Sequence, residues 1–143
     1  MDMATRQKGL KFAAAVTIGF GLLTAAAAYL PLQGPTLLLA DLLIWPMDGT
    51  QSGDGDVTRL MFAIGGGVLA GWGVLIWMLA GEGMARMPDL ARRMIMTSAL
   101  TWFVVDCTAS VLADAPWNIL GNIPFLVMFL WPLRRWNPTP ALA

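Results

Sequence analysis

The chain has 143 residues, 57% hydrophobic and only 13% charged, about half the charged share of a typical soluble domain. Nine basic residues balance nine acidic ones, histidine is absent, and Cys107 is the single cysteine. These counts exclude a Ser-His-Asp triad, histidine ligation of haem or metal, an intrachain disulfide and a CxxC redox pair, and no basic or Gly-Lys pattern suits nucleic acid or nucleotide phosphates.

The first apolar stretch covers residues 12–30, from just after Lys11 to just before Pro31. Its basic start and the alanines from Ala25 to Ala28 also suit a secretory signal, but the stretch exceeds the roughly 7–15 apolar residues of a signal core, so it reads as a retained helix. The connection that follows has two unlike halves. Residues 36–45, TLLLADLLIW, form about 15 Å of helix, too short to cross a bilayer, with Asp41 in the middle; this is a short interfacial or re-entrant helix. MDGTQSGDGD then reads as a solvated acidic loop, without the spacing of a calcium-binding EF-hand.

Three further apolar stretches cover residues 60–80, 94–113 and 117–133. A helix needs roughly 20 residues to cross the hydrocarbon core, and unpaired backbone is too costly there for anything but helix at this length. The expected fold is therefore an all-α membrane protein, one integral domain over residues 1–143, with four transmembrane helices and the short helix on the outer side. Basic residues orient it: Arg6, Lys8, Lys11, Arg86, Arg92, Arg93, Arg134 and Arg135 fall on one side and only Arg59 on the other, which places both termini in the cytoplasm. The opposite side carries Asp41, Asp48, Asp54, Asp56 and Asp114. Trp45, Trp117 and Tyr29 read as outer interfacial anchors and Trp77, Trp131 and Trp136 as inner ones, while Trp72 and Trp102 are deeper and pack between helices. The two hairpins differ in loop length and composition, which gives no support to an inverted-repeat transporter.

Ala63, Gly67 and Gly71 recur every four residues and predict a small-residue packing face, with the first span or a second protomer as its partner. Asp106 lies inside the third span, where an ionisable side chain calls for a partner, a cavity or a proton. Ser110 follows one turn later, and Asn118 and Asn122 come from the antiparallel neighbour at matching depth. With Arg59 long enough to reach inward and Asp41 as a lid, these residues form a candidate polar cluster opening outward. The same residues also suit interhelical hydrogen bonding that only holds a bundle together. Cys107 and Thr108 point elsewhere on the helical wheel, Cys107 as a packing residue, and the methionines form no copper-binding array.

The run WPMDG from Trp45, TRLMFAIGGGVLAGWGVLIW from Thr58, TWFVVD from Thr101 and APWNILGN from Ala115 resemble a family of small bacterial four-helix integral membrane proteins with no established activity. The likeness spans about residues 36–133 and implies a bacterial inner-membrane location without supplying a mechanism. No catalytic residue, metal or cofactor is expected, and the expected partners are the lipid bilayer, a membrane-protein partner or further copies, not nucleic acid. The expected function is a subunit, assembly factor or scaffold of a membrane complex. The alternative is a small transporter that uses Asp106 as a protonatable or ligand-binding group; a lipid- or quinone-modifying enzyme would have to rely on Asp106 alone.

Overall fold

The computed structural model describes residues 1–134, so Arg135 and Trp136 lie outside the described residues. The first helix, α1 (Met3–Ala26), begins where the Asp2 carboxylate accepts a hydrogen bond from the Thr5 backbone N–H at 2.7 Å, an N-cap that lets the charged leader join the apolar span in one helix. A single 3₁₀ turn, Leu30–Leu32, leads into α2 (Gly34–Leu43). This helix ends two residues earlier than the apolar run predicts: Pro46 disfavours helical backbone at Trp45, and Ile44 is already extended. Next come α3 (Asp56–Arg86), which contains one π-helical turn at Leu79–Gly83, then α4 (Pro88–Leu112) and α5 (Asn118–Leu133). The fold is all-α, 81% helical, with no strand among the described residues.

Three helices, α1, α3 and α4, are long and apolar enough to cross a membrane. At 16 residues, α5 extends about 24 Å, short of the roughly 30 Å of a bilayer core. Only 28%, 17% and 11% of the most apolar windows of α1, α3 and α4 are buried within the protein. Phe12, Val68, Val104 and Val105 all turn outward. Apolar surface on this scale is disfavoured in water and is what a lipid-embedded protein presents.

Helix α1 packs between α3 and α5, and α4 packs on α5. The α1–α3 seam is backbone on backbone: a Cβ added to Gly66 would sit 2.5 Å from the Gly21 carbonyl oxygen and press into the Ala25 backbone, while one on Gly21 would meet Ala70. The seam thus runs through Gly66, Ala70 and Gly73. The predicted Ala63-Gly67-Gly71 face is one residue out of register: Ala63 is exposed, and nothing lies within 4 Å of a Cβ built on Gly67 or Gly71. Gly66 and Ala70 repeat the four-residue spacing of the predicted face one position earlier, so spacing alone could not separate the two; the partner helix is nevertheless the first span. Two buried clusters complete the interior, one of Leu10, Ala80, Met84, Ala91, Ile95 and Leu133, the other of Ala13, Ala14, Ile76, Ala99 and Phe129.

One end of the bundle is tied by basic residues. Buried Arg6 donates through Nη1 to the Pro132 and Arg134 carbonyls at 2.5 and 2.9 Å, which satisfies acceptors that the end of α5 leaves over. Arg92 donates to the Leu133 carbonyl, and Lys11 stands 5.3 Å from the centre of the Trp77 ring. The other end is closed by α2 and its loop: buried Gln33 donates to the Gly53 carbonyl at 2.7 Å, and Asp41 accepts from the Gly49 backbone N–H at 3.0 Å.

Candidate functional site

Asp106 lies on α4 about two helical turns before the helix ends at Leu112, and α5 returns directly alongside after the turn at Asp114. Asn118 and Asn122, one turn apart on α5, therefore project to the same side toward α4. Asn118 Nδ2 donates to Asp106 Oδ1 at 2.7 Å and Asn122 Nδ2 to the same oxygen at 2.6 Å. Ser110 joins more loosely, donating to Oδ1 at 3.4 Å and accepting from Asn118 at 2.8 Å. Asn122 is buried, and Asp106, Ser110 and Asn118 are half-buried. Every donor to the carboxylate falls on Oδ1; among the described residues no donor reaches Oδ2 and no Lys or Arg forms a salt bridge with Asp106.

The structure brings together four of the six predicted cluster residues: Asp106, Ser110, Asn118 and Asn122. Arg59 is not among them. Its Nε donates to the Ala28 carbonyl at 2.9 Å and its Nη1 lies 3.7 Å from Asp56, because the end of α1 next to it offers a free carbonyl closer than Asp106. Asp41 is buried but turned to Gly49, so it anchors the loop and does not cover the cluster. Cys107, predicted to point away, receives a weak hydrogen bond from Asn122 at 3.6 Å; exposed Thr108 bonds back to the Val104 carbonyl at 2.7 Å.

Asp106, Asn118 and Asn122 form the polar wall of a cavity of about 300 Å³. Its other walls are aromatic and aliphatic: Phe20 from α1, Leu69 and Trp72 from α3, Trp102 from α4, Phe125 from α5, and Leu39 and Leu43 from α2. The rings support one another, with Phe20 edge-on to Phe125 at 5.5 Å and Trp72 packed at 5.8 Å from Trp102. Trp72 and Trp102 do pack between helices, as predicted, and they also wall this cavity. Beside it lies a second, almost wholly apolar trough of about 380 Å³, walled by Leu42, Trp45, Trp117 and Leu120. Leu43 and Gly121 line both spaces, and Leu43 Cδ2 would stand 3.2 Å from a Cβ on Gly121. With no side chain at 121, Leu43 packs close against this shared wall.

Sequence reasoning missed Phe20, Leu39, Leu43, Leu69, Gly121 and Phe125. A signal for two of them existed: Asn118, Asn122 and Phe125 fall at i, i+4 and i+7, one continuous stripe of α5, with Gly121 on its flank. Phe20 and the α2 leucines come from distant segments and carried none. The chain matches no protein-family model, no curated protein and no solved structure, so the functional reading rests on this geometry.

Proposed function

We propose that this is a small-molecule-binding integral membrane protein whose Asp106 cavity holds the polar end of an amphiphile. Among the two uses of Asp106 first considered, this takes the ligand-binding form of the transporter reading. The observation that carries it is the carboxylate's setting: one oxygen saturated by amide donors, the other without a protein donor, on the wall of an aromatic cavity that meets an apolar trough. Ionisable side chains within a span that face a cavity mark substrate or ion paths, and Asp106 stands on a cavity wall. In this reading α5 is a fourth span, its short length made up by the tryptophans at its two ends, both termini face the cytoplasm of a bacterial inner membrane, and the cavity opens toward the outer leaflet.

The test is binding by the full chain in lipid nanodiscs. A panel of short-chain amines, amides and alcohols is titrated while tryptophan fluorescence is followed, since Trp72 and Trp102 stand in the cavity wall. Saturable binding that Gly121→Phe blocks is the expected result; responses that only track bilayer partition, equal in empty nanodiscs, overturn the reading.

A second reading, the subunit or scaffold, draws on the outward face of α3, where Ala63, Gly67 and Gly71 are left uncovered by the described residues. A helix of a partner or a second copy could approach closely there. Disulfide trapping through Gly67→Cys in a Cys107→Ser background tests it: cross-linked species are expected if the face is an interface, and their absence from intact membranes counts against it.

A further inference from the structure

Resting on the binding reading above, we propose that the ligand is a single-tailed cationic amphiphile, its positive headgroup against Asp106 and its tail lying past Gly121 in the trough between Trp45 and Trp117.

Charge is the first argument. Arg59, the basic residue at the same end of the bundle, is engaged at the Ala28 carbonyl and beside Asp56, and no Lys or Arg among the described residues forms a salt bridge with Asp106. The asparagines that do meet the carboxylate supply dipoles without net charge. An acidic side chain within a span calls for a partner, and no cationic side chain among the described residues supplies one to Asp106, so the ligand is left to provide it.

The second argument is the nature of the walls. Phe20, Trp72, Trp102 and Phe125 come from α1, α3, α4 and α5 and line the space beside the carboxylate. The faces of such rings attract cations, tryptophan most strongly, and do nothing comparable for a neutral or anionic head. Shape supplies the third. The Asp106 cavity of about 300 Å³ and the apolar trough of about 380 Å³ adjoin, with Leu43 and Gly121 lining both and Leu43 close over Gly121. A compact head joined to one narrow tail suits two adjoining spaces of unlike polarity that share the wall at Leu43 and Gly121.

The experiment compares decyltrimethylammonium with its uncharged isostere, in which carbon replaces the nitrogen, both bound to the full chain in nanodiscs and corrected for partition into empty nanodiscs. The cation is expected to bind saturably and about tenfold or more tightly than the isostere, a preference of at least roughly 1.4 kcal/mol. In Asp106→Asn that preference shrinks toward unity while the isostere binds as before; in Gly121→Leu both lose affinity, and tetramethylammonium, which has no tail, loses less. Equal affinity for cation and isostere in the unaltered protein overturns the cationic assignment and leaves the binding reading in place. Saturable binding by no member of either set overturns both. The comparison of the two ligands needs no variant, so a folding defect in Asp106→Asn cannot mask the result.

Discussion

Adding one methyl group at Gly66 or at Gly67 should have opposite consequences. A Cβ at Gly66 falls 2.5 Å from the Gly21 carbonyl oxygen and also presses into the Ala25 backbone, so only a shift of α1 away from α3 can relieve it. Ordinary contact needs about 3.5 Å, which makes the required separation roughly 1 Å along a seam where both partners are main chain. Overpacking of this kind costs about 1–3 kcal/mol, and the obstacle here is backbone, so the upper part of the range applies; the helix-propensity gain of glycine to alanine returns about 1 kcal/mol. Gly66→Ala should therefore destabilise by about 2 kcal/mol. At Gly67 nothing lies within 4 Å of the new Cβ, so Gly67→Ala keeps the propensity gain and should be neutral to mildly stabilising. Reversible unfolding of the full chain in mixed micelles, titrated with a denaturing detergent, measures both. Indistinguishable midpoints for the two variants, or a larger loss at Gly67, would refute the α1–α3 register described above.

Replacing buried Asn122 by Leu removes the 2.6 Å donor to Asp106 and should destabilise by about 1–3 kcal/mol, measured in the same titration; Asn122→Gln, which keeps the amide, should recover part of the loss. Arg6→Met leaves the Pro132 and Arg134 carbonyls without their guanidinium donor, and faster hydrogen exchange and easier proteolysis at the end of α5 should follow, with little change at the Asp106 end. In the exposed loop after α2, the Thr50 hydroxyl and then the Thr50 backbone N–H hold the Asp48 carboxyl below its ordinary value of 3.8. A lowered folded-state value means the turn's support is present above the ordinary carboxylate range and is lost as pH falls through the lowered one. An NMR titration should show Asp48 shifting back toward 3.8 in Thr50→Val.

The parts of the fold that reported themselves in sequence were those governed by hydropathy and chain reversal. Long apolar runs marked α1, α3 and α4, and the short Asp114 turn made α4 and α5 antiparallel neighbours, which was enough to bring Asp106, Ser110, Asn118 and Asn122 together. Choices among near-equal partners were not legible. Arg59 could reach inward on length alone, but a carbonyl at the end of α1 lay nearer, and no pattern within α3 marks where α1 ends. Gly66 and Gly67 are both glycines within one repeating run, and which one faces α1 depends on a rotation of about 100° that small residues on both faces do not specify. The cavity joins Phe20, Trp72, Trp102 and Phe125 with leucines of α2, and such long-range convergence leaves no local trace.

The most direct test of the account is to locate a bound ligand. Crystals of the full chain grown in lipid with decyltrimethylammonium brominated at the tail end should give an anomalous bromine peak between Trp45 and Trp117, with headgroup density against Asp106. Bromine found only along the outward-facing sides of the helices, with the Asp106 cavity empty or filled by water, would contradict it.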